Sequence, residues 1–408
     1  GGVTQRRQLT TMRGYMASHE AILHYGLGAA KTVERVTIDW PSGQRQELTG
    51  LKVNQHHVIA EPQANKPTHP WAKPVSSPMF VATTGVQGFK HEENFYDDFR
   101  DQPLLPNKLS QNGPGLAVGD IDNDGDDDFV LGAAVNKTTV IGRQTSPGIF
   151  RSEILPDKHA APEDMGVLLF EADGDGDLDL YVVSGGYEWK LGKESEPLLQ
   201  DRIYKNDGKG NLKLDPRALP RAISSGGAVT AGDWDRDGDL DLFVGGRVLG
   251  GKYPSAPESF LLENEGGRFQ HVANKVAPGL SDIGMVTSAI FTDVDDDGWS
   301  DLMVTLEWGA VRYFHNTQGR FIDRSKESGL SERTGWWNSI TSADFDRDGD
   351  LDYIVGNYGL NTKYHANVKK PALIYYGDFD NTGVNRIIEA EFEDETLFPI
   401  RGRSCSTH

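Results

Sequence analysis

Five stretches of this chain set acidic side chains on alternate residues around a glycine: DIDNDGDDD from Asp120, EADGDGDLD from Glu171, DWDRDGDLD from Asp233, DVDDDGWSD from Asp293 and DFDRDGDLD from Asp344. A hard cation such as Ca2+ collects about six to eight oxygens, and alternate residues of one tight turn can aim theirs at a common point. Side-chain ligands are therefore expected at positions 1, 3, 5 and 9. These are Asp120, Asp122, Asp124 and Asp128 in the first loop, and Glu171, Asp173, Asp175 and Asp179 in the second. They are Asp233, Asp235, Asp237 and Asp241 in the third, Asp293, Asp295, Asp297 and Asp301 in the fourth, and Asp344, Asp346, Asp348 and Asp352 in the fifth. Position 7 (Asp126, Asp177, Asp239, Trp299, Asp350) is expected to give its backbone carbonyl, a role that tolerates tryptophan as readily as aspartate. Glycine at position 6 supplies the dihedral freedom such a turn needs. Glu171 adds one methylene to the pattern, so the second loop is the odd member. Ca2+ at about five sites would neutralise crowded carboxylates and pin each turn, making binding free energy part of folding free energy.

The loops account for the charge. The chain has 408 residues, 61 acidic and 41 basic, with a formal net charge of −20. Twenty of those acids occupy positions 1, 3, 5 and 9, and the remaining 41 balance the basic residues. The acidity is thus concentrated in the loops rather than spread over a solvating tail. No basic stripe stands out, which argues against nucleic-acid binding. No apolar run reaches the roughly 18 residues a membrane span requires. The single Cys405 rules out an internal disulfide framework.

An EF-hand would flank such loops with helices and place a bidentate Glu at position 12. Position 12 is instead Leu131, Val182, Val244, Val304 and Val355. The flanks, such as GLAVGD and DFVLGAA or AVTAGDWD and LDLFVGG, are short β-rich runs bounded by glycine, so each loop reads as the turn of a hairpin. The loops start 51, 62, 60 and 51 residues apart, a period expected of blades or arrays. Each unit offers a second hairpin: TTVIGRQTSPGIFRSE (138–153), RIYKNDGKGNLKLD (202–215), SFLLENEGGRFQHV (259–272) and VRYFHNTQGRFIDR (311–324), with Asn and Gly as turn residues. Four antiparallel strands per repeat make the blade of a β-propeller, so an all-β fold with five recognisable blades is expected. A sixth run, DFDNTGVNR (378–386), has Thr382 at position 5 and Arg386 at position 9, is not expected to bind Ca2+ tightly, and aligns with the second hairpin of the fifth blade.

These repeats resemble the FG-GAP or VCBS repeats of integrin-type β-propellers, over about residues 79–400. The name-giving triplets are eroded, and LGAA (131–134) and VGG (244–246) stand where Gly-Ala-Pro would be. Residues 1–62 resemble part of an ASPIC/UnbV domain through YGLG (25–28), VERVTIDWPSG (33–43) and NQHHVIAE (54–61). The combination resembles the cartilage acidic protein-like family. The resemblance implies an exported Ca2+-binding propeller, with seven blades in the family, and implies no reaction. Residues 63–78, rich in proline, read as a linker, and 79–408 as the propeller, closed or capped by a strand or two from 79–113. The chain reads as a fragment, truncated at its C-terminus.

In a four-stranded blade the 1–2 and 3–4 turns share one side, and the long 2–3 and blade-to-blade loops share the other. Those long loops carry Trp189, Arg247, Tyr253, Trp308, Trp336, Trp337, Tyr364 and His365. Aromatic and arginine anchors gathered on one rim are what a binding surface uses, with Trp189, Tyr253 and Tyr364 expected on exposed loops and Trp336 and Trp337 more as packing. No G-x-S-x-G or HExxH motif occurs, and no Cys/His nucleophile pair. His56 and His57 adjoin on a strand-like run and point to opposite faces. The expected function is a non-enzymatic binding or adhesion module at an extracellular or cell surface, on a bacterial outer surface or in the periplasm. Its ligand would be a glycan or protein, and it could belong to a larger surface assembly. The alternative is a carbohydrate-active lyase or hydrolase with its site at the mouth opposite the Ca2+ loops.

Overall fold

The computed structural model describes residues 4–9, 22–28, 30–42, 44–62, 86 and 88–401, except 157–161, 191 and 360–361. Contacts divide the chain into two units, residues 1–83 and 84–408. The proline-rich stretch 63–78 lies outside the described residues.

In the first unit, β1 (Arg35–Asp39) and β2 (Arg45–Thr49) form one antiparallel hairpin. Val36 and Ile38 are half-buried between exposed neighbours, the period-2 pattern of a strand with one covered face.

The second unit is built from antiparallel sheets that follow one another along the chain. The first contains β3 (Leu116–Gly119), β4 (Asp128–Leu131), β5 (Val140–Ser146) and β6 (Ile149–Ile154). The second contains β7 (Glu163–Phe170), β8 (Asp179–Gly185), β9 (Arg202–Lys205) and β10 (Lys213–Leu214). The third contains β11 (Gly226–Gly232), β12 (Asp241–Gly246), β13 (Phe260–Asn264) and β14 (Phe269–His271). The fourth joins β15 (Met285–Thr292), β16 (Asp301–Glu307), β18 (Arg312–Asn316) and β19 (Phe321–Asp323); the short β17 (Gly309–Ala310) pairs outside it with β20 (Thr334–Gly335). In all four, chain order is sheet order.

Packing between sheets explains why the second strands are continuous apolar runs. On β8, Leu180 and Val182 join a core with Val130 and Ile141 of the first sheet, while Tyr181 and Val183 join one with Leu242 and Val244 of the third. On β12, Phe243 turns the other way, to Leu302, Val304 and Phe314 of the fourth sheet. A strand covered on both faces has no solvent side, so its sequence does not alternate in polarity. The first strands β3, β7, β11 and β15 lie beside one another in that order.

The structure corrects two expectations. The fifth repeat is a two-stranded hairpin, β21 (Trp337–Ala343) with β22 (Asp352–Asn357). Its supposed outer hairpin belongs to a separate three-stranded sheet of β23 (Leu373–Gly377), β24 (Arg386–Glu393) and β25 (Thr396–Pro399). That pairing buries Ile387 and packs the half-buried Ile374 against the cluster of Leu105, Leu109, Tyr187 and Tyr253, an apolar gain. Residues 378–386 therefore form a first hairpin turn rather than a second one. Further, the described part of 79–113 contains no strand, only one helical turn (Asp98–Asp101). The segment caps by side chains instead. Gln102 is buried; its amide donates to the carbonyls of Tyr253 (2.9 Å) and Asn385 (2.8 Å), and its oxygen accepts from Tyr187 Oη (2.7 Å).

Candidate metal centres

Each of the five acidic loops joins the first two strands of its sheet or hairpin. All have left-handed backbone at position 4 (Asn123, Gly174, Arg236, Asp296, Arg347, φ +57 to +79) and at the position-6 glycine (φ +85 to +102). In every loop the position-5 carboxylate accepts the position-7 N–H, from Asp126 to Asp124 at 3.0 Å and from Trp299 to Asp297 at 2.8 Å, for example. The side chain at position 7 is not needed for that contact, in keeping with tryptophan there. Position 1 caps the turn: Asp120, Glu171, Asp293 and Asp344 each accept the N–H of the loop glycine.

Position 9 does more than the spacing suggested. Asp128, Asp179, Asp241 and Asp301 are fully buried. Each accepts the N–H of position 2 in its own loop and the N–H of a residue on the third strand or, for Asp179, just after it. Asp241, for instance, holds Trp234 N (3.3 Å) and Asn264 N (2.8 Å). It is a ligand candidate and a strut at once. Asp352 has only the first of these bonds, from Phe345 N, because the fifth hairpin has no third strand.

Oxygens from positions 1, 3 and 9 converge within 4.8 Å of one another in the first four loops. Buried carboxylate oxygens without a hydrogen bond occur on Asp122, Asp173, Asp177, Asp233, Asp239 and Asp293. Burial, reinforced by neighbouring carboxylates, pushes the Asp177 and Asp235 carboxyls up to about 6, Asp179 to about 7 and Asp241 to about 8. Such orphaned, charge-crowded acceptors fit a hard divalent ion, whose ligand set is oxygen throughout. The fifth loop repeats the backbone pattern with Asp344, Asp346, Asp348 and Asp350 exposed.

Two sets of residues escaped the sequence reading. Asn206, Asn264 and Asn316, expected to serve their own turns, also reach the preceding repeat. Their Nδ2 atoms donate to the position-2 carbonyls of Ile121 (2.7 Å), Ala172 (2.8 Å) and Trp234 (2.7 Å). The same atoms hold the position-8 carbonyls Leu178, Leu240 and Ser300 of their own loops. The recurring Asn in KND, ENE and HNT was the signal. The residue before that Asn faces the carboxylates. Lys205 Nζ lies 2.6 Å from Asp173, and His315 Nδ1 3.2 Å from Asp301, whereas Glu263 adds negative charge beside Asp235. In the first loop Arg143 takes this place, 3.0 Å from Asp128.

The family models match an ASPIC and UnbV region over residues 1–66 and FG-GAP-like repeats over residues 171–244 and 293–355. This chain carries FG-GAP-like repeats and an ASPIC and UnbV region. The FG-GAP matches begin at the first residue of the second and fourth acidic loops. The chain is similar to cartilage acidic protein 1 of Homo sapiens (22% identical, 70% of this chain and 46% of that protein) and of Xenopus tropicalis (22%, 78% and 50%). It thus spans about half the length of the curated relatives it matches. Among solved structures, a rhamnogalacturonan lyase of Bacillus licheniformis aligns with TM-score 0.36 at 13% identity, covering 70% of this chain and 55% of that one. A thermostable family-43 glycoside hydrolase aligns with TM-score 0.30 at 11% identity, covering 72% and 96%. Likenesses this distant carry no conclusion about chemistry.

At the ends of the sheets away from the FG-GAP loops, the anchor residues divide. Tyr253, expected on an exposed loop, is fully buried; its hydroxyl donates to Glu307 (2.6 Å) and accepts from Trp308 Nε1 (2.6 Å). Its neighbours Leu105 and Leu109 cover it, which a polar loop sequence does not reveal. Arg247 pairs with the same Glu307. Trp308, Trp336, Tyr358 and Tyr364 form one aromatic cluster, with centroids 4.8 to 6.2 Å apart. Trp337 packs apart from it, against Ile340 and Met303, and its indole donates to Arg333 O (3.0 Å). Trp189 is half-buried, and the His365 ring is exposed beside Glu391. Among the described residues no helix is long and apolar enough to cross a membrane.

Proposed function

We propose that this chain is a Ca2+-stabilised β-propeller that works as a non-enzymatic binding or adhesion module at an extracellular or cell surface. The observation that carries it is the set of buried, unpartnered carboxylate oxygens recurring in the acidic loops. Asp120, Asp122, Asp128 and their counterparts would hold the ion, which supplies charge neutralisation and a fixed hairpin. The stacking of successive sheets, first strand beside first strand, supports a radial array. The low affinity of open, turn-built sites suits compartments rich in Ca2+.

The ligand surface would be the cluster of Trp308, Trp336, Tyr358 and Tyr364, whose half-buried rings and exposed Tyr358 offer apolar faces to a glycan or protein. Chelator-treated protein is expected to melt on the order of 10 °C below the Ca2+-loaded form, from several sites worth about 1–2 kcal/mol each. An unchanged melt overturns the metal reading. Binding across a glycan and protein panel should fall on Trp336→Ala or Tyr358→Ala. Turnover of a polysaccharide on that panel would replace the binding module by the carbohydrate-active alternative.

A further inference from the structure

Glu163 opens β7, paired with Gly185, at the end of the β7–β8 hairpin opposite the loop that starts at Glu171. Its side chain is 1% exposed; its carboxylate oxygens meet no N–H or O–H donor and lie within hydrogen-bond reach of the Glu188 carboxyl alone. Glu188 Oε2 is likewise buried and without a donor. Gly186, at φ +111°, lies between them, and a Cβ added there would collide with Glu163 Oε2 and Glu188 Oε2 alike. The two oxygens thus flank one point that glycine keeps clear.

The surrounding field is negative. Burial and then the charges of Glu188 and Glu93 push the Glu163 carboxyl up to about 9, and Glu188 is raised by burial and, less, by Asp98 and Glu93. Other buried carboxylates near these sheet ends have either a cation or hydrogen-bond donors: Asp164 has Arg202, Glu307 has Arg247 and Glu389 has Lys363, while Asp98 accepts from Leu109 N and Ser110, and Asp201 from Tyr181 Oη and Ser184 N. Among the described residues Glu163 and Glu188 have no cation. Burying a charged carboxylate without a partner is costly, and the other carboxylates show the chain's usual remedy.

We propose that Glu163 and Glu188 bind a further hard divalent cation, separate from the acidic loops. Glu93, held by His91 Nε2 at 2.6 Å, adds negative charge nearby. Seven residues of strand, roughly 23 Å, separate the ion from the loop of the same sheet. The ion would tie the start of β7 to the segment after β8, at the end where Gln102 and Tyr187 close the apolar cap.

The test counts ions on the full chain, stripped with chelator and reloaded with Ca2+ alone, by mass spectrometry after desalting. The double variant Glu163→Gln/Glu188→Gln should hold one ion fewer than the parent. Asp235→Asn serves as the control for a loop site and should lose one independently. Equal counts in the parent and the double variant overturn the proposal and leave a shared proton as the remedy for the buried pair. Should the double variant misfold, Glu188→Gln alone, checked by near-ultraviolet dichroism, decides between the same two results. If the loops hold no ions at all, the parent would retain one and the double variant none, so the two sets of sites fail separately.

Discussion

Asp235 and Asp241 belong to one loop and separate the metal from the scaffold. Asp235, at position 3, is half-buried, and its carboxyl is raised to about 6 by burial and the charge of Asp237. Asp235→Asn in excess chelator should leave stability unchanged or slightly higher, because a repulsive charge is gone. With Ca2+ at a hundredfold its Kd, the same variant forfeits the loop's share of linkage, about 2.7 kcal/mol. Asp241, at position 9, is 0% exposed and accepts two backbone N–H groups. Asp241→Ala leaves both donors buried and unpaired at about 1–3 kcal/mol each, hence roughly 2–6 kcal/mol in chelator, with the loop's linkage of about 2.7 kcal/mol lost in addition when Ca2+ is present. Urea unfolding followed by tryptophan fluorescence, in chelator and in saturating Ca2+, gives all four numbers. The reasoning is refuted if the Asp241→Ala deficit disappears in chelator, or if Asp235→Asn loses as much in chelator as in Ca2+.

Asn264→Ala strips partners from Ala172 O, Leu240 O and Gly267 N, and is expected to cost about 3 kcal/mol or more by urea denaturation. Lys205→Met removes the ammonium that competes for Asp173, and should tighten Ca2+ at the second loop at least tenfold, about 1.4 kcal/mol, by calorimetric titration. Asp201 is fully buried against Tyr181 Oη and Ser184 N, and burial raises its carboxyl from 3.8 to about 7. A raised carboxyl favours the fold below its unfolded value and loses that contribution as pH climbs through 7. In saturating Ca2+, Asp201→Asn should therefore be more stable than the parent near pH 8, by on the order of 1–3 kcal/mol, with the gap closing toward pH 4.

What could be read from the residues was local. The alternating carboxylates and Gly at position 6 describe a turn that forms within nine residues, and the apolar position 12 excluded flanking helices. The second hairpins were visible for the same reason. Long-range partners were not. Asn206 and Asn264 clamp carbonyls 85 and 92 residues earlier, and nothing in KND or ENE names Ile121 or Ala172. Tyr253 sits among Gly, Lys, Pro and Ser, yet Gln102, 151 residues away, seals it in. The fifth repeat looked like the others because its loop is intact; its third strand was lost to a competing pairing of Leu373–Gly377 with Arg386–Glu393.

The asparagine clamp touches its neighbour only through main-chain oxygens, so isoleucine, alanine and tryptophan all serve at the receiving position. The joint between units is written in backbone and is indifferent to which side chain arrives. A gene segment encoding one unit could be copied, shuffled or lost, and the new neighbours would meet with their fastening already in place.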